Sequence, residues 1–375
     1  MKTFKLIAVA AIAILAASCS DEQVQMTTII NRNGSCLRTL SFAADSATLV
    51  GSYDKSEHMI HLLADSAWSK SWCIKGDTAR HAYPMTPEQY AELRASMADK
   101  NLGDTLLVCA ERRFASVEEM DSAMPIRLNG EPLQPRVSFG KRFRWFYTYY
   151  TYEETYPCQS SLFAYPLGNF VEEDVARYWF TGEPEMMQGF SPAEKKETYD
   201  MVEEQCNKWV VANEVAAAFD AVADVYDSLS DVPLDKATYM AHRDSLVQYA
   251  LDSHFSFGDA LDTLFSAYFH SHAYDAALSS SSVEQQLEAK MEAFMALMGL
   301  KVDYRLVLPG KIVDAGSGVV EEGSVRYRLM GTRQIPGDYT IAATSRAINV
   351  WAFILTALLL LAVVVGLRSC LNLIQ

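Results

Sequence analysis

The sequence lacks the short patterns that announce a reaction. It has no Cys-x-x-Cys, which excludes the usual thiol–disulfide oxidoreductase arrangement, and no His-Glu-x-x-His of the zinc proteases. Nor does it contain a nucleophile elbow, a phosphate-binding glycine loop or a dinucleotide fingerprint. Its one glycine-rich run, Gly316 to Gly323, holds Glu321 and Glu322 and reads as a turn between strands, not as a cradle for phosphate. Charge is missing where its absence says most: the twenty-one residues from Ala347 to Leu367 carry none. A helix of that length spans roughly 32 Å, about the thickness of a bilayer's hydrocarbon core. Trp351 stands where an interfacial aromatic would, and Arg346 and Arg368 bracket the run. A transmembrane helix is expected over 347–367, with 368–375 as a short cytoplasmic tail.

The other end of the chain places the body. Lys2 and Lys5 precede an apolar run from Leu6 to Leu15, followed by Ala16, Ala17, Ser18 and Cys19. This is the charged, apolar, small-residue order of a secretory signal over residues 1–18. Small residues before a cysteine, with Ser20, Asp21 and Glu22 after it, resemble a bacterial lipoprotein signal, which implies that Cys19 is lipidated. Ala16 stands where such signals usually have Leu, so ordinary cleavage after Ser18 stays open. Either cut leaves the body outside the cytoplasm. A lipid on Cys19 and a helix at 347–367 would tether both ends to one membrane, most simply the cytoplasmic membrane of a bacterium.

The net charge of −15 is unevenly placed. Residues 171–300 hold 24 Asp and Glu against 7 Lys and Arg, so this block carries a net −17 and the remainder +2. Helix signals cluster in the same block. Ser191, Pro192 and Glu194 form a helix start, and Met201, Cys206, Trp209, Val210, Phe219, Val222 and Tyr226 follow at three-to-four spacing. Leu234–Leu251, Ala260–Phe269 and Ser282–Gly299 read as further helices. The last carries an apolar stripe of Leu287, Met291, Phe294, Met295 and Met298, and Ser279–Ser282 reads as a short joint before it.

On either side of this block the period changes to two. Residues 24–43 read as a hairpin, with Asn33 and Gly34 suited to a type I′ turn. Leu106–Ala110 and Arg136–Tyr152 read as strands. In the second, Phe143, Trp145, Tyr147 and Tyr149 share one face, and Phe146, Tyr150 and Tyr152 share the other with Thr148. Helices are expected at Thr86–Lys100 and Ser116–Ala123. Val302, Tyr304, Leu306 and Leu308 alternate, as do Val325, Tyr327 and Leu329, and a last strand at Tyr339–Ala343 leads to the membrane. The predicted fold is α+β: an antiparallel sheet domain formed by 19–170 and 301–346, interrupted by the acidic helical insert 171–300, with the terminal strands neighbours in one sheet.

The segment LPGKIVDAGSGVVEEGSVRYRL from Leu308 to Leu329, followed by IAATSR from Ile341 and a membrane helix, resembles the end of membrane-tethered bacterial lipoproteins of the LppM type. That resemblance implies an extracytoplasmic domain associated with lipid binding, although Tyr327 stands where Trp is expected. The stretches NGSC at Asn33–Cys36 and TGEPE to SPAE at Thr181–Glu194 are similar to those of lipoproteins of the Bacteroides group. Neither resemblance carries over a functional residue.

Candidate chemistry is sparse. Cys36, Cys73, Cys109, Cys158 and Cys206 lie in the exported part, and five cannot all pair. Cys206 falls on an apolar helix face and reads as a free thiol, which leaves three pairings of the other four. His58 and His61 lie three apart, and His270 and His272 lie near Asp275 and His254. His270, His272 and Asp275 are the weak metal candidates, and no catalytic residue and no cofactor are assigned. Export and the acidic block argue against nucleic acid as a partner. Two readings follow: a non-catalytic envelope module that binds membrane lipid or an envelope protein, and a metal-dependent hydrolase acting on an envelope component. For the first, the predicted ligand site is an apolar groove lined by Phe143, Trp145, Tyr147 and Tyr149 or by the opposite set.

Overall fold

The computed structural model describes residues 24–374 except 53–64, 98–104, 122, 124, 125, 129, 130 and 184. The expected signal over 1–18, Cys19, His58 and His61 lie outside the described residues. The strands are β1 (Val24–Ile30), β2 (Cys36–Ala43), β3 (Ser69–Ile74), β4 (His81–Ala82), β5 (Leu106–Phe114), β6 (Arg127–Leu128), β7 (Glu131–Pro132), β8 (Arg136–Phe143), β9 (Tyr147–Tyr156), β10 (Lys301–Val307), β11 (Lys311–Asp314), β12 (Val319–Glu321), β13 (Ser324–Met330) and β14 (Tyr339–Ile348). Alternation of buried and open positions runs through β1, β2, β9, β10 and β14, so one face of each strand is core.

The fold is α+β, built on two sheets. Eight strands order as β12-β13-β10-β1-β2-β5-β3-β4 and four as β11-β14-β9-β8, with β6 and β7 a small separate hairpin. The larger sheet is mixed, not antiparallel as expected. β1 and β10 run parallel, Val24 opposite Val302 through Ile29 opposite Val307. A parallel pair needs a long crossover, and the rest of the chain up to residue 300 supplies it. The terminal strands are not sheet neighbours either, since β1 lies inside the larger sheet and β14 in the smaller.

The first hairpin forms, but with a different turn. A type I′ turn needs positive φ at both central residues, and here Gly34 (φ +91°) is left-handed while Asn33 is not. Asn31 and Ser35 close a longer loop instead, through Asn31 N–H to the Ser35 carbonyl (2.8 Å) and Gly34 N–H to the Asn31 carbonyl (3.0 Å). The Leu-Pro-Gly motif has a local cause as well. Gly310 (φ +90°) brings β11 against β14 so closely that any Cβ would collide with the Arg346 carbonyl.

Between the sheets lies a buried charge pair. Arg38 of β2 and Glu154 of β9 are fully buried, with Arg38 Nη2 at 2.9 and 3.1 Å from the two carboxylate oxygens. Glu154 also accepts from the hydroxyls of Tyr152 (2.8 Å) and Tyr156 (2.9 Å), and Arg38 Nε donates to Thr28 Oγ1 (3.0 Å). Met26, Leu40, Leu106, Val108, Tyr304 and Leu329 pack around it.

Between β9 and β10 the chain is helical. Its helices follow three short ones, α1 (Ser46–Val50), α2 (Pro87–Ser96) and α3 (Val117–Asp121), and are α4 (Glu173–Thr181), α5 (Pro192–Val225), α6 (Lys236–Ala241), α7 (Arg243–Asp252), α8 (Leu261–Phe269), α9 (Asp275–Leu278) and α10 (Ser281–Gly299). α5 starts where its signals predict, with Ser191 and Glu194 bonded reciprocally as a capping box (3.3 and 2.7 Å). Its buried face begins at Val202, while Met201 is exposed. The helix expected over 234–251 is two, α6 and α7, parted at His242, whose N–H bonds the Tyr239 carbonyl three residues back. The joint expected at Ser279–Ser282 is a helix start: the Ser280 hydroxyl caps Val283 N–H of α10. Phe219, Val222, Tyr239, Leu246, Phe265 and Tyr274 form this unit's own core, which meets the sheet core along α5 near Trp209.

The last element is α11 (Val350–Ile374). Among the described residues it is the one helix long and apolar enough, over Val350–Arg368, to cross a membrane. It starts later than the uncharged run, because Ala347 and Ile348 still belong to β14 and pair with Thr148 and Tyr147.

Candidate functional site

α5 and α10 lie side by side where the sheet core gives way to the helical core, and a cleft of about 400 Å³ opens there. That volume is within the roughly 300–1,000 Å³ of small-molecule sites. Its walls are apolar, including Phe163, Trp209, Leu287, Met291 and Phe294, with Phe257 from the α7–α8 connection. Trp209 is fixed by its indole N–H, which donates to the Tyr165 carbonyl (2.9 Å). The Asn213 amide locks the same segment, donating to the carbonyls of Tyr165 and Trp209 and accepting from Tyr165 N–H. Met291 of the methionine stripe thus faces the cleft, while Phe294 and Met298 also pack on the sheet core.

One ionisable group is buried in this wall. Glu214 is 8% exposed, and its two carboxyl oxygens lie 3.2 Å from Gly258 N. Burial pushes the carboxyl up to about 8; the Gly258 N–H bond pulls the other way, and the Asp259 charge adds to the rise. At neutral pH Glu214 is therefore mainly a carboxylic acid, with an O–H to donate and no charge to solvate. Lys290, on the cleft's other wall, is exposed. An apolar chain that carries an uncharged oxygen acceptor would match this lining.

The predicted aromatic strand is a hairpin. Arg144 and Tyr147 exchange backbone hydrogen bonds (2.7 and 3.2 Å), so the chain reverses at Trp145 and Phe146. Phe143, Trp145, Tyr147 and Tyr149 consequently do not share one face of one strand. Tyr150 and Tyr152 of the opposite set are buried between the sheets. The tip docks on the start of α11: the Trp145 indole N–H donates to Thr356 Oγ1 (2.8 Å), Phe143 stacks on Trp351 and Phe146 lies against Phe353. Asn349 joins the two, donating to the carbonyls of Arg144 (2.8 Å) and Trp145 (3.2 Å) and accepting from Thr148 Oγ1 (2.9 Å).

The histidine candidates are only partly assembled. His272 Nδ1 lies 2.8 Å from Asp275 Oδ2 at an exposed position, and His270 ends α8 in a left-handed conformation (φ +51°). Among the described residues no three His, Cys, Asp or Glu side chains converge as metal ligands would. Of the cysteines, Cys73 and Cys109 meet across β3 and β5 with sulfurs 3.4 Å apart. Cys36 instead faces Met120 and the Ser116 carbonyl, and Cys158 the Ile335 carbonyl. Cys206 is half-buried against the sheet core, and burial pushes its thiol up to about 11.

Compared with known protein families, curated proteins and solved structures, the chain matches none. Sequence reasoning missed the cleft and Glu214. A signal for the latter exists, since Glu214 is the single charged residue between Lys208 and Asp220, in the most buried stretch of α5.

Proposed function

We propose that this protein is a membrane-anchored extracytoplasmic lipoprotein, a non-catalytic envelope module that holds a lipid acyl chain in the cleft between α5 and α10. The carrying observation is the cleft itself: about 400 Å³ of apolar space with one buried carboxyl held neutral. A neutral carboxylic acid hydrogen-bonds an ester or protonated carboxyl oxygen without the cost of burying a charge. α11 supports the anchor by its length and composition, and the signal with Cys19 and the likeness to LppM-type lipoproteins support an extracytoplasmic address on the cytoplasmic membrane. The ligand site moves from the aromatic strand to the helical insert, because Tyr150 and Tyr152 are spent on the sheet core and the hairpin tip on α11.

Titration of the full chain, in a neutral detergent, with a fluorescent fatty acid ester tests this reading. Saturable binding is expected, and it should be lost when the cleft is filled by Ala293→Trp or Ala217→Leu, substitutions that add volume at half-buried positions. No saturable binding by the unmodified chain, or unchanged binding by both filled variants, refutes it.

A further inference from the structure

The outer face of the smaller sheet carries a group of cations that the fold leaves uncompensated. Register places Lys311 opposite Arg346, Arg346 opposite Tyr149, and Tyr149 opposite Arg142. Residues directly opposite share a face, so three cations and a tyrosine form one rung across all four strands. Nearer α11, Arg144 stands opposite Tyr147, and the Arg346 guanidinium lies over the Tyr147 ring at 4.8 Å. Arg142, Arg144 and Lys311 are exposed and Arg346 is half-buried.

Two observations say that these charges have an external partner. Like charges directly opposite each other destabilise a sheet, and Lys311 with Arg346 is such a pair. None of the four cations has an ion-pair partner among the described residues, in a chain whose net charge is −15. By contrast Arg136, at the far end of the same face, is paired with Asp338 at 2.7 Å. Asp314, one rung farther from α11 than Lys311, accepts from Gly316 N–H at 3.0 Å.

Position supplies the partner. The rung lies four residues before Val350, and Arg144 adjoins Trp145, whose indole is bonded to Thr356 within α11. Trp145, Trp351 and Phe143 form the aromatic group expected at the level of lipid headgroups, and long basic side chains beside it reach the phosphates. We infer that Lys311, Arg142, Arg144 and Arg346 form a binding face for anionic phospholipid headgroups of the membrane that α11 enters. The inference rests on the proposed anchor but uses a surface separate from the acyl cleft.

The test is native mass spectrometry of the full chain released from nanodiscs of mixed phosphatidylglycerol and phosphatidylcholine. Retention of the anionic lipid over the zwitterionic one is expected, and preference should fall roughly fivefold for each cation neutralised, as expected for basic residues at an anionic surface. Arg142→Gln/Arg144→Gln changes only exposed positions, and adding Lys311→Gln and Arg346→Gln should abolish the preference. Lys75→Gln/Arg94→Gln, which removes two exposed cations elsewhere, should leave it intact. Equal retention of both lipids by the unmodified chain, or a preference untouched in the fourfold variant, overturns the inference while leaving the anchor standing. A chain that stays soluble without detergent and enters no nanodisc overturns the anchor and this inference together.

Discussion

Glu214→Gln isolates the property on which the cleft depends. In the unfolded chain this carboxyl titrates near the ordinary 4.5, and inside the fold burial pushes it up to about 8. The native state therefore keeps a proton that the unfolded state has lost, and stability is full below about pH 4.5 and falls as pH rises toward 8. At about 1.4 kcal/mol for each tenfold change in proton activity, the interval is worth on the order of 5 kcal/mol, and roughly 3 kcal/mol of it is already lost at pH 7. Glutamine keeps the shape, and its amide oxygen can still accept from Gly258 N–H, but it does not titrate. Urea unfolding of the full chain in neutral detergent, followed by tryptophan emission at several pH values from about 5 to 8, should show both proteins equally stable at the acid end. The variant should lead by roughly 3 kcal/mol near neutrality, and subtracting the two curves cancels every other titration. A difference that does not change with pH, or a variant that is the weaker protein at pH 8, would refute the reasoning. The affinity of the wild type for an ester ligand should weaken as pH rises through about 8 and the O–H is lost.

Three further outcomes are expected. Glu154→Gln removes the carboxylate charge paired with the buried Arg38 guanidinium and should cost about 3–5 kcal/mol in urea unfolding, whereas Arg38→Met/Glu154→Leu should recover most of it; equal loss in both would show that charge is not the cause. If the chain is exported as proposed, Cys73 and Cys109 should be joined, each thiol giving up a proton and one electron to the disulfide of a thiol oxidase. Burial first, then the Cys73 thiol, pushes Cys109 up to about 12, so the bond should form before β3 and β5 close; peptide mapping that links Cys36 or Cys158 to either would contradict this. Gln334 is fully buried, and neither polar atom of its amide has a hydrogen-bond partner among the described residues, so Gln334→Leu should stabilise the chain by about 1–3 kcal/mol, and a lower urea midpoint would count against it.

What was legible in the sequence, and what was not, follows from how far each cause reaches along the chain. Strands β10 and β13 were readable because Val302, Tyr304, Leu306, Val325, Tyr327 and Leu329 are all buried and alternate, and α5 was readable because its cap lies within four residues. The break between β8 and β9 was not readable, since Arg144–Tyr147 contains no Gly, Asn, Asp or Pro; that turn is held by Asn349 and by rings on α11, some two hundred residues away. The start of α11 was blurred for a related reason. Ala347 and Ile348 are as apolar as a membrane helix, yet they are the end of β14, and only strand pairing shows it. Arg38 and Glu154 were legible in principle, because each occupies a core position in a strict alternation.

The cleft could not be read because its walls come from residues 161–164, 209–217, 257 and 287–294, which only the tertiary fold brings together. Glu214 is different, because its oddity is local. A leucine or methionine at that position would complete the buried run from Val211 to Ala223 with no electrostatic cost. Glu214 caps no helix and has no cation beside it among the described residues, and it accepts from one backbone N–H, that of Gly258. A carboxyl that lowers stability at neutral pH and accepts only one backbone N–H bond in return is a candidate for a role outside the fold's own packing. Its place in the wall of an apolar cleft is what the proposed reading builds on: a ligand there would offer an oxygen to accept its O–H.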